Sequence, residues 1–208
     1  MKKQVQKKET AFKTKEDEQI LVVHRKKLFE KKYIQGIEKV DFDFYQNLIQ
    51  KNQEFLWRSK IETDPQYKQI IPYIVFNYQD KFFLMQRKSG SSEGRLKDKY
   101  SLGIGGHIRK CDIVGKKLFD WAKREFYEEV DYSSSFQIQP LGLLNDDSDS
   151  VGKVHIGFVF LLKGDSDKIK IKDEHQSGQL LTLNECEKFY SKMENWSKFV
   201  FDFLKANF

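Results

Sequence analysis

The feature that most constrains the fold is a strand that ends in a glycine pair and leads into an amphipathic helix. The strand is the segment KYSLGIGGHI, which carries Gly105 and Gly106 near its end. After a polar loop, residues 116–130 place apolar side chains on one side of a helix. They are Leu118, Phe119, Ala122, Phe126 and Val130. The pattern therefore predicts a strand, a glycine turn and a helix as the organising unit.

Further strands are predicted on both sides of this unit. The segment QIIPYIVFNYQDKFFLMQRK predicts two strands joined by a turn near Gln79 and Asp80. Proline has no amide hydrogen for the ladder, so Pro72 predicts that the first strand starts at an edge or a bulge. Residues 136–144 and 154–162 are apolar, β-rich runs separated by an acidic turn, and they predict a second hairpin. A short alternating strand, KIKIK, follows.

The chain divides into a tail, an extension and a main domain. Residues 1–18 are polar and rich in Lys and Glu, so we expect a flexible tail. Residues 19–66 combine a β-branched run with a helical pattern, which predicts an N-terminal extension packed on the core. Residues 67–208 form the main domain. It ends in two helices, the first of which begins where Thr182 and Glu185 have capping-box spacing.

Composition limits the partners and the compartment. The formal charge is +6, with 37 Lys and Arg against 31 Asp and Glu, but the basic residues are scattered among acids. A nucleic-acid partner is therefore not expected. Cys111 and Cys186 lie far apart and outside any zinc-site spacing, which suits a reducing cytoplasm. No stretch resembles a signal peptide or reaches membrane-spanning length, so we expect a cytoplasmic protein without a membrane partner.

The segment REFYEEV places three carboxylates on one helical face. Glu125, Glu128 and Glu129 stand at i, i+3 and i+4, where neighbouring β-carbons are about 5–6 Å apart. Each like-charge pair weakens a helix by about 0.2–0.5 kcal/mol, and a divalent cation among the carboxylates would remove that cost. Mg²⁺ prefers such oxygen ligands, and Mn²⁺ is the alternative. A solvated acidic helix face is the competing interpretation.

Residues 105–132 resemble the Nudix box. The pattern of that box is a glycine, five residues, a glutamate, seven residues, and then the run Arg-Glu-apolar-x-Glu-Glu-x-Gly-apolar. The residues that match its closing half are Arg124, Glu125, Phe126, Glu128, Glu129 and Tyr132. The segments YKQIIPY, SLGIGGH and ENWS also resemble bacterial Nudix proteins, so the resemblance extends from about Glu18 onward. It implies a Nudix-type α/β/α sandwich with a mixed sheet, an N-terminal extension and a C-terminal helical pair.

The chain departs from the Nudix pattern in two places. Gly106 lies four residues further from Arg124 than the pattern allows, and Lys116 stands where the first glutamate belongs when counted back from that arginine. Asp131 replaces the late glycine, which predicts a left-handed backbone at Asp131. The candidates for a substitute acid are Asp112 and Asp120.

The resemblance implies a set of site residues. Glu125, Glu128 and Glu129 would hold the metal together with the Gly105 carbonyl, and Arg124 would orient the carboxylates. A further base or ligand would come from a loop after the box, where we favour Glu174. The other acids in that region are Asp146, Asp147, Asp149 and Asp173.

Three further residues are candidates for substrate binding. Arg87 ends a predicted strand, and Arg95 precedes the strand that carries the glycine pair. Either guanidinium fork could bind phosphate, and surface ion pairs are the alternative interpretation. His107 follows the glycine pair and could donate to a phosphate, with a structural hydrogen bond as the alternative.

The resemblance implies attack of a metal-activated water on a phosphorus of a diphosphate. We therefore expect a hydrolase of a nucleoside diphosphate linked to another moiety, whose partner is a small-molecule nucleotide or other diphosphate. One alternative is a Nudix-like module that senses a nucleotide without cleaving it, suggested by Lys116 and by the longer loop before Arg124. A second is an RNA-end pyrophosphohydrolase, suggested only by the basic balance. A homodimer is left open.

Overall fold

A computed structural model of the chain describes residues 17–88, 98–115, 117–173 and 175–208. Its strands are β1 (Gln19–His24), β2 (Gly36–Glu38), β3 (Gln53–Trp57), β4 (Tyr67–Tyr78), β5 (Lys81–Arg87), β6 (Tyr100–Ser101), β7 (Gly103–Gly105), β8 (Val130–Asp131), β9 (Phe136–Asn145), β10 (His155–Gly164), β11 (Lys170–Ile171) and β12 (His175–Thr182). Its helices are α1 (Arg25–Leu28), α2 (Phe42–Asn52), α3 (Arg58–Ile61), α4 (Leu118–Glu129), α5 (Leu183–Cys186) and α6 (Asn195–Asn207). Lys110–Asp112, Gly152–Val154 and Glu187–Lys192 form 3₁₀ turns.

One mixed sheet carries most of the strands. Its main order is β12-β5-β4-β10-β9-β2, with β10 parallel to β4 and antiparallel to β9. β1 and β3 extend the sheet beside β4, and β7 pairs with β4 further along. Both predicted hairpins are confirmed, β4–β5 and β9–β10, and the first turns at Gln79, which has a φ of 53°. β8 and β11 form a separate two-stranded sheet.

Helices cover both faces of the sheet. On one face, Phe119 and Phe126 of α4 join a buried cluster with sheet residues such as Phe158 and with Leu21 and Ile49 from the N-terminal segment. Each large apolar side chain buried in this way contributes about 1.5–3 kcal/mol. On the other face, α6 buries its apolar stripe against alternate residues of β4, β5 and β10. The α/β/α sandwich with a mixed sheet is therefore confirmed.

Pro72 does not lie where the sequence suggested. It falls inside β4, an interior strand that pairs with β10 along most of its length. On the other side of β4, β1 pairs as far as Gln69 and β7 pairs from Tyr73 onward. The prediction that the strand starts at Pro72 is therefore wrong, because β4 begins at Tyr67. Pro72 does lack a ladder partner on one side, where it occupies the gap between β1 and β7. A missing donor is tolerated there.

A buried hydroxyl and carboxylate cluster attaches α6 to the sheet. The Tyr73 hydroxyl donates to Glu194 (3.0 Å), and the Ser197 and Ser101 hydroxyls lie 2.8 Å from Tyr73 and 2.7 Å from Glu194, respectively. A Cβ on Gly103 would overlap the Tyr73 ring, so only glycine leaves room for it. The segments YKQIIPY, SLGIGGH and ENWS therefore meet in one cluster.

A buried lysine ties β4 to the β9–β10 connection. Lys68 is fully buried, and its Nζ donates to Asp147 (2.8 Å) and to the carbonyls of Gly152 (2.7 Å) and His155 (3.1 Å). Asp147 also pairs with Arg25 of α1. Burial lowers the pKa of Lys68 to about 8, and Asp147 opposes that shift.

The C-terminal helices begin as the sequence predicts. The Thr182 hydroxyl accepts from the Glu185 amide (3.3 Å), and the Glu185 carboxylate accepts from the Thr182 amide (2.9 Å). This capping box opens α5, which continues as a 3₁₀ turn before α6. None of the helices in the described part of the chain combines the length and apolar character that crossing a bilayer requires.

Candidate active site

Arg124, a residue of α4, is the centre of a cluster of carboxylates. Its guanidinium donates to both oxygens of Asp112, at 2.7 and 2.9 Å, and to the His107 carbonyl at 3.1 Å. It also lies 2.7 Å from Glu128 and 2.7 Å from Glu125. Although burial opposes its charge, the carboxylates of Asp112 and Glu125 raise the pKa of Arg124. One guanidinium therefore fixes three carboxylates and the turn after the glycine pair.

Asp112 supplies a carboxylate to Arg124, although Lys116 stands where the family has its first glutamate when counted back from that arginine. It lies after Gly106 with five residues between them, which is the family spacing between the first glycine and the first glutamate. The four extra residues therefore lie between Asp112 and Arg124. Burial alone would raise the pKa of Asp112, but hydrogen bonds from Arg124 and the Arg109 amide hold it below its usual value. Lys116 lies outside the described residues.

The glycine pair brings backbone against the first carboxylate of the trio. A Cβ on Gly106 would stand 2.5 Å from Glu125 Oε2, so no other residue fits without moving that carboxylate. Burial raises the pKa of Glu125, while Arg124 opposes the shift and Glu128 adds to it. Gly105 ends β7, opposite Tyr73 of β4, one residue before this contact.

Glu128 is the exposed member of the trio. Its carboxylate lies between Arg124 (2.7 Å) and Arg109 (3.6 Å), so arginines balance part of the like-charge repulsion on this face. Asp120, the other candidate for a substitute acid, instead pairs with Lys123 on the same helix at 2.9 Å.

Glu129 is the buried member of the trio. Its side chain is buried, and Oε2 lies 3.5 Å from Nε2 of His175, the first residue of β12. Burial lowers the pKa of His175 to about 4, and the positive charges of Arg87 and Lys88 act in the same direction. His175 is therefore uncharged at neutral pH.

The segment before β12 is attached to the end of α4. The Lys172 amide donates to the Glu129 carbonyl (2.8 Å), and the Lys172 ammonium donates to the Tyr127 carbonyl (2.6 Å). Both acceptors belong to the last turn of the helix, whose carbonyls have no partner within it. Asp131 pairs with Lys170 in β8–β11, and the non-glycine residues described with positive φ are Gln79 and Asp98. The predicted left-handed backbone at Asp131 is therefore wrong, because strand pairing holds it extended.

The remaining candidates lie in different places. The His107 ring contacts Gln69 (2.7 Å) and His155 (3.3 Å). Arg87 ends β5, half-buried and opposite His175 in the strand register. Arg95 and Glu174 lie outside the described residues, although the next residue after Glu174, His175, contacts Glu129.

The donor chemistry of the cluster fits a hard divalent cation. Glu125 and Glu128 bind the same guanidinium, and the Glu125 carboxylate lies against Gly106. Oxygen donors of this kind suit Mg²⁺ or Mn²⁺. Across residues 17–88, 98–115, 117–173 and 175–208, however, no three Asp, Glu, His or Cys side chains converge as a ready-made metal site. A cation would therefore have to draw Glu125 or Glu128 partly away from the arginines.

Sequence reasoning missed Arg109, Lys172 and His175 as parts of the site. It named Asp112 only as one of two candidate acids, and counting forward from Gly106 instead of back from Arg124 would have distinguished it from Asp120. For His175 the sequence held no local signal, because strand pairing between β8 and β11 brings its segment to α4.

Comparisons with known proteins place the chain in a family. No family profile matches it. YmaB of Bacillus subtilis (strain 168) is 35% identical over 202 residues, 91% of this chain and 98% of YmaB. The crystal structure of Tm1382, which is assigned to the Nudix hydrolases, has 34% identity and a TM-score of 0.79, over 92% of this chain and 100% of Tm1382. The Nudix domain of Shewanella oneidensis NrtR, solved with ADP-ribose, shares the fold at 14% identity and a TM-score of 0.53, over 67% of this chain and 87% of that one. With an Arg-Glu-x-x-Glu-Glu helix held by an acid at the family spacing from Gly106, the chain belongs to the Nudix hydrolase family.

Proposed function

We propose that the chain hydrolyses a phosphoanhydride bond in a nucleoside diphosphate linked to another moiety, using a divalent cation. The observation that carries the proposal is the Arg124 cluster, in which one guanidinium binds Asp112, Glu125 and Glu128 beside Gly106. Membership of the Nudix hydrolase family supports the reaction class.

The cation would be held by Glu125, Glu128 and Glu129, with the Gly105 carbonyl as a further ligand. When bound, it supplies neutralisation of phosphate charge and a water of lowered pKa. Arg124 keeps Glu125 and Glu128 in place, while the buried Asp112 keeps Arg124 in place. Mg²⁺ is the first choice for this oxygen set, and Mn²⁺ is the alternative.

Positive charge beside the carboxylates suits the phosphates of a substrate. Arg87 and Lys88 both act on His175, which contacts Glu129, so their charges lie close to the proposed metal ligands. We keep Arg87 as the candidate phosphate contact and Arg95 as a second one. Glu174 is kept as the candidate base, since His175, the next residue in the chain, contacts Glu129. For the His107 ring we propose a structural role, because it is bound to Gln69.

The sensing alternative loses one of the two arguments that suggested it. It rested on Lys116 in place of an acid and on the longer loop, and Asp112 provides an acid that binds Arg124. No observation on the described residues favours the RNA-end alternative over a small-molecule substrate.

The test is hydrolysis of a panel of nucleoside diphosphate derivatives, including ADP-ribose, with Mg²⁺ or Mn²⁺. The double variant Glu128→Gln with Glu129→Gln is expected to lose about 100-fold or more in turnover, since removal of an outer-shell partner alone typically costs about 10–100-fold. Asp120→Asn is the matched control, because Asp120 lies on the same helix but pairs with Lys123. Turnover by the double variant at the wild-type rate would falsify the site.

The same panel separates hydrolysis from sensing. Calorimetry that gives tight binding of one compound, with no product after long incubation, would replace the hydrolase by a sensing module.

A further inference from the structure

His175 is a fully buried imidazole that lies against the end of α4. Its side chain is 0% exposed, and Nε2 lies 3.5 Å from Glu129 Oε2. Neither ring nitrogen has a hydrogen-bond partner among the described residues. A buried imidazole carries one N–H that needs an acceptor, and the Glu129 carboxylate lies on its Nε2 side.

The position of His175 relative to Glu129 is set by backbone contacts. Lys172, three residues earlier, donates its amide to the Glu129 carbonyl at 2.8 Å. Ile171 and Lys170 pair with Val130 and Asp131, the two residues that directly follow α4. On the other side, His175 is held opposite Arg87 in the ladder between β12 and β5. The ring therefore stays beside Glu129 as long as these strands remain paired.

The geometry around the ring places a donor beside a carboxylate. Glu129 faces the ring from α4, and Arg87 of β5 stands opposite His175 in the strand register. An uncharged imidazole can donate one hydrogen bond to a carboxylate without cancelling its charge. A carboxylate held in this way keeps its full charge for a cation.

We propose that His175 is a positioning residue that donates from Nε2 to Glu129 Oε2 and so directs the other carboxylate oxygen toward the divalent cation. This inference rests on the proposed function, because it takes Glu129 as a metal ligand. Carboxylates that bind metals are commonly held by such an outer hydrogen bond. His175 does not touch the substrate in this role.

The test is Mn²⁺ affinity, measured by calorimetry on the whole chain without substrate. His175→Phe keeps an apolar ring in the same space but removes the donor, and His175→Leu is the second apolar variant should the first not fold. His175→Gln restores an N–H near the position of Nε2. Gln179→Ala is the matched control, since Gln179 is an exposed residue of the same strand.

The apolar variants are expected to weaken Mn²⁺ binding by about 10–100-fold. His175→Gln is expected to recover most of that loss, and Gln179→Ala is expected to bind as the wild type does. Circular dichroism spectra and melting temperatures confirm that each variant is folded before its affinity is compared.

Three results would overturn the inference. Equal Mn²⁺ affinity in wild type and the apolar variants would show that Glu129 needs no donor, while leaving the metal site intact. Equal loss in His175→Phe and His175→Gln would show that packing, and not the hydrogen bond, matters. Glu129→Gln separates the two proposals, because wild-type Mn²⁺ affinity in that variant would remove Glu129 from the metal site and the inference with it.

Discussion

Replacement of Asp112 by asparagine isolates the ion pair that organises the site. The side chain of Asp112 is 4% exposed and binds Arg124 through both oxygens, at 2.7 and 2.9 Å. Asparagine keeps the volume but has one acceptor oxygen, and its amide would point a donor at a guanidinium that also donates. The variant therefore keeps one hydrogen bond to Arg124, now through an uncharged oxygen, and replaces the other with two donors that face each other.

The cost can be worked out from this geometry. Breaking a buried ion pair costs about 3–5 kcal/mol, but Arg124 is partly exposed and keeps Glu125 and Glu128, so we expect about 2–3 kcal/mol. For a chain of this size each kcal/mol lowers the melting temperature by about 2–4 °C, which gives a drop of about 4–12 °C. Asp120→Asn removes only a surface pair with Lys123, and its expected cost is below about 0.5 kcal/mol.

The assay is thermal unfolding followed by circular dichroism at pH 7 and again at pH 3. Burial would raise the pKa of Asp112, but Arg124 and the Arg109 amide hold it below its usual value. A carboxyl group with a lowered folded pKa stabilises the protein above its unfolded pKa of about 3.9 and loses that effect as the pH falls through the folded pKa. The difference in unfolding free energy between wild type and Asp112→Asn should have its full value at pH 7 and a smaller one at pH 3. A difference below about 0.5 kcal/mol at pH 7, or one that does not change with pH, would refute the reasoning.

Three further predictions test other parts of the molecule. Gly106→Ala is expected to displace the Glu125 carboxylate and lower turnover by about 10–100-fold, and wild-type kinetics in the assay panel would contradict this. Tyr73→Phe removes a buried hydroxyl bound to Glu194 and is expected to cost about 1–3 kcal/mol in urea unfolding, a prediction that fails if the midpoint is unchanged. Burial lowers the pKa of Lys68 to about 8 in the folded chain, so between pH 8 and about 10.4 the unfolded chain binds more protons than the folded chain. The free energy of unfolding should therefore rise with pH in that range. Lys68→Met should lack that rise, and parallel curves of stability against pH for the two proteins would contradict the prediction.

The parts of the fold predicted from sequence are those set by local patterns. Both hairpins and α4 follow from the period of their apolar residues, and the capping box at Thr182 follows from two side chains three positions apart. The spacing of Glu125, Glu128 and Glu129 is local too, because one turn of helix fixes it.

The features that sequence reasoning missed depend on contacts between distant segments. His175 reaches Glu129 only because β11 pairs with β8, and that pairing also keeps Asp131 extended. The burial of Glu129 is likewise a tertiary effect, since the trio would share one exposed face on an isolated helix. Pro72 was misplaced for the same reason, because β1 and β7 both pair with one side of β4.

The longer Nudix box is compatible with an intact site because the insertion falls in a loop. Asp112 and Arg124 are separated by four more residues than in the family pattern, and the cost of closing a loop rises only with the logarithm of its length. A longer loop can also bring a shorter acid to the guanidinium, so aspartate serves where the family has glutamate. The absence of an acid at residue 116 therefore does not remove the carboxylate that holds Arg124.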